Sequence, residues 1–347
     1  MTAVGARRDD GLLERLAPGL AAVAPRLRLA ELPTPCTEAP HSARALGAAR
    51  LFIKRDDLSS PRYGGTKVRA LEFLLGAARA AGAGGVATLG PDGSHHVYAT
   101  AVFARAAGFD VRAALFPQPP TPETPFLRAA LEAIGVDVVR APLAALLWWA
   151  AARARFTALG DGGRPFWIPA GGANALGVLG AVEGALELAE DVRRGGVPRP
   201  DAIVVAAGSC GAAAGILRGS AVAGLAVEVV AVRVTPRIVA SRFRILSLAR
   251  KAARILAAAG CTRAEGLELG SRLRVQHAYY GGGYAIPDPG AHEMMALAAA
   301  DGLALETTYT AKALRAAGDP SCRGRSILFW NTFSAVAARS PEKTDQL

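Results

Sequence analysis

Short apolar runs alternate with helix-spaced segments along this chain, and glycine-rich turns stand between them. Runs that read as strands lie at Leu51–Lys54, Gly85–Leu89, Val111–Phe116, Val136–Val139, Phe166–Ile168, Ala202–Ala206, Val227–Val234 and Ser326–Trp330. Segments with apolar residues three and four apart read as helices at Lys67–Ala81, Ser94–Ala107, Phe126–Ile134, Ala141–Ala158, Ala175–Asp191, Ala212–Ala223, Gly290–Asp301 and Tyr309–Ala317. Pro117–Pro125 reads as a loop, and Tyr279–Asp288 as glycine-rich and irregular. The strand-like runs show little alternation of polar and apolar residues, as strands covered on both faces do. Strands joined by helical crossovers pair in parallel. The expectation is an α/β fold of parallel-rich sheets flanked by helices. Ligands should bind at glycine turns beyond strand ends.

Charge raises one competing class. The formal net charge is +11, so a nucleic-acid surface has to be weighed. The densest basic group is Arg237, Arg242, Arg244, Arg250, Lys251 and Arg254, on a stretch with helical spacing. No aromatic residues interleave it as a stacking platform requires, so it reads as a solvated helix face. A basic field also draws small anions. Cys36, Cys210, Cys261 and Cys322 are far apart and form no CxxC pair, which supports neither a zinc site nor a disulfide framework. No apolar core precedes a cleavage site before Pro35, and the run Ala141 to Ala152 falls short of the roughly 20 residues that span a bilayer. A cytoplasmic protein with no nucleic-acid or membrane partner is expected. The tail after Arg339 is polar and expected to be loose.

Chemistry centres on a lysine. Of 40 Lys and Arg residues only Lys54, Lys67, Lys251, Lys312 and Lys343 are lysines. Lys67 follows Gly64-Gly65-Thr66 at the mouth of a helix. Guanidinium cannot lose its proton to attack a carbonyl, whereas an amine can, which points to Schiff-base chemistry. A phosphate-binding point charge or a surface residue fits the window as well. The second feature is Ala202–Ala206 followed by Gly208-Ser209-Cys210-Gly211-Ala212. Strand, glycine loop and helix N-terminus together make an anion site, though such glycines also serve close packing. The loop has neither Walker nor Gly-x-Gly-x-x-Gly spacing. A nucleophilic lysine plus a phosphate cradle points to pyridoxal 5′-phosphate.

The residues then resemble a family. The anchors are Leu32-Pro33-Thr34-Pro35, Ile53-Lys54-Arg55-Asp56-Asp57-Leu58 and Gly64-Gly65-Thr66-Lys67-Val68-Arg69, then Pro169-Ala170-Gly171-Gly172-Ala173-Asn174-Ala175-Leu176-Gly177, Gly283-Tyr284-Ala285-Ile286-Pro287 and Tyr309-Thr310-Ala311-Lys312. The chain resembles the 1-aminocyclopropane-1-carboxylate deaminase / D-cysteine desulfhydrase family of fold-type II pyridoxal phosphate enzymes, related to the tryptophan synthase β subunit, from about Leu32 to about Ala335. The resemblance implies two α/β domains with the cofactor between them, residues 66–170 forming the smaller and 1–65 with 171–347 the larger, and a homodimer. It implies Lys67 as the Schiff-base lysine, Tyr284 and Tyr309 as active-site tyrosines, and Ser94 at a substrate-carboxylate or nucleophile position. His95 stands for an asparagine that bonds the cofactor's ring oxygen. Gly208, Ser209, Cys210, Gly211 and Ala212 form the phosphate loop, and Thr332 faces the pyridine nitrogen.

Departures matter as much. Ala70 replaces a phosphate-touching lysine, Ala212 replaces a hydroxyl residue, and Phe333-Ser334 replaces Gly-Gly. Arg69 is a candidate replacement for the lost phosphate contacts. Adjacent His95 and His96 point in different directions from a helix, against a shared metal ion. The reaction expected first is elimination or ring opening of a small amino acid to a 2-oxo acid and ammonia. A β-replacement enzyme and a catalytically silent binding relative are the alternatives.

Overall fold

Ten strands form two sheets in the computed structural model, which describes residues 11–336 apart from 161 and 265. The strands are β1 Cys36–Glu38, β2 Arg50–Arg55, β3 Gly85–Pro91, β4 Asp110–Phe116, β5 Asp137–Arg140, β6 Phe166–Ile168, β7 Ala202–Ala207, β8 Glu228–Arg233, β9 Leu273–Gln276 and β10 Ser326–Asn331. One sheet has the order β1-β2-β10-β7-β8-β9, the other β5-β4-β3-β6. Only β1 runs antiparallel to its neighbour. All other pairs are parallel, as strands joined by helices must be.

The parallel register places the site. β10 lies between β2 and β7, with Ile327 opposite both Leu51 and Ala202. The carboxyl ends of β2, β10 and β7 therefore open on one edge. The segments leaving them are Asp56–Gly65, Thr332–Ser334 and Gly208–Cys210. This is where open parallel sheets bind ligands.

Helices cover both faces. Gly177–Arg193, Gly211–Val222 and Arg242–Ala258 pack on one side of the larger sheet around Leu179, Ile216 and Leu248. Pro40–Leu46, Ala291–Ala300 and Thr310–Ala316 pack on the other around Met294 and Leu314. Thr66–Ala80 and His95–Ala106 cover the smaller sheet through Leu71, Leu74, Val97 and Phe103. Thr66–Ala80 also lies hard against Gly177–Arg193. A Cβ on Gly180 would come within 2.3 Å of the Arg69 carbonyl oxygen, so only glycine admits this approach.

Several boundaries differ from the sequence reading. The helix expected over Ala141–Ala158 begins as a 3-10 turn at Ala144 and becomes α-helical only over Leu147–Phe156. Pro142 precedes an extended Leu143 (φ −134°, ψ 149°), which delays the start. Short β1 and β9, and the helix Pro40–Leu46, appear without a matching run in that reading. Among the described residues no helix is long and apolar enough to cross a membrane. The tail after Arg339 lies outside the described residues.

Candidate functional site

Lys67 is the second residue of the helix Thr66–Ala80. The chain before it is held at every step. Gly65 N–H donates to the Asp56 carbonyl at 2.8 Å, Ser59 Oγ donates to the Gly65 carbonyl at 3.1 Å, and Gly64 N–H donates to Ser334 Oγ at 2.9 Å. Thr66 Oγ1 donates to Asp56 Oδ2 at 3.1 Å. The Asp56 carboxylate also accepts from Thr34, Arg69 and the indole of Trp330. The acidic end of β2 is thus the anchor of the lysine segment.

The Lys67 side chain itself is half-buried and has no hydrogen bond or ion pair with any described residue. Desolvation lowers its pKa from the ordinary lysine value. A cation taken out of water without a partner is unfavourable, so the free amine gains weight. That is the state a carbonyl-attacking lysine needs.

The other expected residues gather around it. The Thr66 N–H meets the Thr332 carbonyl at 3.4 Å, which puts the end of β10 beside Lys67. The Thr332 hydroxyl has no partner among the described residues. Phe333 stands edge-on to the His95 ring, with centroids 5.2 Å apart. Ser94 caps the helix His95–Ala106, its Oγ accepting from Val97 N–H at 3.3 Å. His95 and His96 both feel the Lys67 charge. Burial, and then that charge, pushes His96 down to about 3, and Nε2 of His96 lies 3.0 Å from Thr88 Oγ1. His96 is therefore a neutral core histidine. Among the described residues no group of three or more His, Cys, Asp or Glu could hold a metal ion.

The glycine loop leaves β7, the neighbour of β10 on the same sheet edge. A Cβ on Gly208 would stand 2.8 Å from Cε1 of Tyr309, and one on Gly171 would stand 2.3 Å from Ser209 Oγ. Cys210 takes the left-handed conformation (φ 73°) at the N-cap of Gly211–Val222. No side chain caps that helix. The first-turn N–H groups of Gly211, Ala212 and Ala213 are free of intrahelical acceptors, which suits an anion. A half-buried unpaired amine, an uncapped helix N-terminus in a glycine loop and an unpaired hydroxyl together fit an aldehyde that carries a phosphate. Ala70 lies on the same side, within 3.4 Å of a Cβ built on Gly172.

The two tyrosines meet each other. Tyr284 Oη and Tyr309 Oη are 2.5 Å apart, with the rings edge-on at 6.0 Å. Burial pushes Tyr284 up to about 12 and Tyr309 well above its ordinary value. They are protonated phenols, so neither is a lowered-pKa base. What remains is proton relay through their hydroxyls.

Arg69 is corrected outright. It is fully buried and donates to Asp56, Glu187 and Thr34. It cannot replace a phosphate contact. Two residues away on a helix is roughly 200° around its axis, so Arg69 faces away from Lys67.

Sequence reasoning missed several participants. Tyr63 bonds His95, with its Oη 2.5 Å from Nδ1. The buried Glu306 carboxylate accepts the N–H groups of Thr308, Tyr309 and Thr310 at 2.7–2.9 Å, which sets Tyr309 in place. Lys312 donates to the carbonyls of Tyr280 and Gly283 at 2.8 and 3.1 Å, which holds the loop before Tyr284. Arg244, assigned to a solvated helix face, reaches the Ser209 carbonyl with Nε at 3.3 Å, while Arg250, Lys251 and Arg254 are exposed. A carboxylate three residues before Tyr309 was the one readable signal for Glu306.

The chain is similar to known proteins along most of its length. Residues 27–332 match the family model described as pyridoxal-phosphate dependent enzyme. The chain is 38% identical over 325 residues to the nocardicin C-9′ epimerase of Nocardia uniformis subsp. tsuyamanensis, across 90% of this chain and 94% of that one. It is 33% identical over 328 residues to the D-cysteine desulfhydrase of Salmonella choleraesuis, across 90% and 95%. A solved structure of an ACC deaminase homologue matches with a TM-score of 0.76 at 26% identity, over 95% of this chain and 99% of that one.

Proposed function

The chain belongs to the pyridoxal-phosphate-dependent enzymes, and from that premise we propose that it is a lyase or deaminase that converts a small amino acid to a 2-oxo acid and ammonia. Its cofactor is pyridoxal 5′-phosphate. When bound, this group serves as an electron sink for charge that develops at the substrate's α carbon.

In this reading Lys67 holds the cofactor through its amine and, once released, takes a proton from the substrate. Desolvation lowers its pKa, which favours the unprotonated amine that this step needs. Gly208, Ser209, Cys210, Gly211 and Ala212 offer backbone N–H groups to the phosphate. Thr332 places an uncharged hydroxyl at the ring nitrogen. Ser94 and His95, at the start of their helix, orient the substrate carboxylate and the ring oxygen. The Tyr284–Tyr309 pair delivers or relays a proton on the side of the glycine loop. The two sheets support a division into a smaller domain, residues 66–170, and a larger one from the remainder. A homodimer belongs to the same reading. What supports it is the unpaired, half-buried Lys67 amine together with the uncapped glycine loop, which Gly171 beside Ser209 and Gly172 beside Ala70 tie to the lysine helix.

The test is direct. The purified protein should show the visible absorbance of bound cofactor and release ammonia and 2-oxo acid from D-cysteine, 1-aminocyclopropane-1-carboxylate or a related amino acid. Lys67→Ala should lose both. Retained turnover in Lys67→Ala would sink the assignment.

Epimerisation is a second reading. The relative that is 38% identical over 90% of the chain is an epimerase, and a protonated phenol pair can return a proton to the α carbon. Incubation in D2O separates the two. Stereo-inverted amino acid carrying α-deuterium, without ammonia, would replace the lyase assignment. Added thiol that appears in the product would instead mark β-replacement.

A further inference from the structure

His95 is held on two sides. Its ring stands edge-on to Phe333 (86°) and nearly parallel to Tyr63 (8°, centroids 6.4 Å apart). Tyr63 is buried and meets Tyr98 edge-on at 4.8 Å. Its hydroxyl lies 2.5 Å from His95 Nδ1. The other ring nitrogen, Nε2, has no partner among the described residues, and the imidazole is partly open to solvent. His95 is the first residue of its helix, behind the Ser94 cap, so its backbone is fixed too.

Two groups share one short contact, and because the buried Tyr63 hydroxyl has no other partner among the described residues, its proton is satisfied only if Nδ1 accepts it. Burial pushes the Tyr63 phenol well above its ordinary pKa, so it keeps its proton. Burial, with the Lys67 charge adding to it, pushes His95 below the ordinary imidazole value, although Glu306 and Glu123 act the other way. A neutral imidazole carries one proton. If Nδ1 accepts from the phenol, that proton is on Nε2.

We propose that Tyr63 locks His95 in its Nε2–H tautomer, so that His95 presents an uncharged N–H donor to an anionic oxygen in the Lys67 pocket. Tyr63 is then a positioning residue and His95 the binding one. The inference rests on the Lys67 reading for the identity of the pocket alone. The oxygen has two possible sources, the cofactor's ring oxygen and the substrate carboxylate. The chemistry is the same for both, a charge-assisted hydrogen bond from a neutral donor. An asparagine amide can supply that donor without a partner to orient its protons. An imidazole cannot, because its two tautomers put the donor on opposite nitrogens.

The chain has five histidines, few enough for 15N-histidine NMR, with His95→Asn identifying its own signals. Stripped wild-type protein at neutral pH should show a protonated Nε2 and an unprotonated Nδ1 for His95. Tyr63→Phe should mix the tautomers. Titration of stripped protein with pyridoxal 5′-phosphate gives the second arm. If the oxygen is the cofactor's, affinity should fall roughly tenfold in His95→Leu, less in Tyr63→Phe, and by no more than about threefold in His95→Asn. If it is the substrate's, the same order should appear in KM while cofactor affinity holds. A wild-type His95 protonated on Nδ1, or on both nitrogens, overturns the proposal, as does a Tyr63→Phe variant with unchanged tautomer, affinity and KM. The NMR arm uses stripped protein, so it stands even if Lys67 proves not to hold the cofactor. It also needs only wild-type protein and His95→Asn should Tyr63→Phe fail to fold.

Discussion

Lys67 and Arg69 lie two residues apart on one helix. Arg69 makes five hydrogen bonds, to Asp56, Glu187 and Thr34, at 2.7–3.0 Å. Lys67 makes none with the described protein. The contrast extends to Lys54, also fully buried, whose ammonium lies 2.9 Å from Glu187 and 2.6 Å from the Thr34 carbonyl. Two cations and two carboxylates thus saturate one another behind the helix. A third basic group, the Lys67 amine, is left without a partner in front of it. A buried charge that stays unpaired is costly, so a fold tolerates one where a ligand will meet it. The rear network fixes the helix, and the fixed helix aims the bare amine.

The largest effects should come from the front. Lys67→Ala is expected to lower turnover by at least about 10⁴-fold, on the order of 5 kcal/mol in the barrier, while the unfolding midpoint in urea shifts little. The rear should behave in the opposite way. Arg69→Leu removes the cation that pairs with Asp56 and leaves Glu187 to Lys54, and should destabilise the fold by about 3–5 kcal/mol, read by urea denaturation. Equal loss of stability in both variants would erase the distinction between the two sides.

Acid should weaken the rear network through Glu187. Burial acts to raise this carboxyl, but Arg69 and Lys54 outweigh it and hold it down at about 2, against an ordinary 4.5. A folded-state value below the unfolded one stabilises the protein at pH above about 4.5. That contribution drains away as pH falls towards about 2, and amounts to about 3 kcal/mol. The check is the stability difference between wild type and Glu187→Gln, measured at pH 6 and again near pH 3. The gap should narrow on acidification, and a gap that widens contradicts the assignment.

How far the chain announced this arrangement differs between the two sides. Lys67 and the glycine loop were readable because their motifs follow strand ends, where chemistry in parallel sheets collects, whereas Tyr284 and Tyr309 stood out only through the resemblance to a family. Lysine scarcity was a poorer guide than it looked, since Lys54 and Lys312 are also kept and both serve carbonyls or carboxylates. Arg69 was misread for want of helical geometry, as a turn of roughly 200° carries it behind the helix. Glu306 acts on its own neighbours, Thr308 to Thr310, but Tyr63 acts through a residue far away in the chain, and no local pattern marks a contact across 32 residues such as Tyr63 to His95. Strands β1 and β9 escaped because short, charged edge segments carry almost no apolar signal.

The smallest predicted effect sharpens the comparison by giving the front a partner. Ala212 occupies the first turn of the uncapped helix and is only partly buried. Ala212→Thr adds a hydroxyl beside backbone N–H groups that no side chain caps. A hydrogen bond to a charged group contributes about 1.5 kcal/mol at the low end, roughly a tenfold gain in affinity. Stripped Ala212→Thr protein titrated with pyridoxal 5′-phosphate should therefore bind about tenfold more tightly than wild type, with the rear network and the urea midpoint unchanged. Affinity that is unaltered or weaker would mean that the phosphate does not sit at this helix, and the loop from Gly208 to Gly211 would lose its role as the cradle. Because the same substitution leaves Lys67 untouched, such a result would overturn the anion site without touching the evidence for the amine.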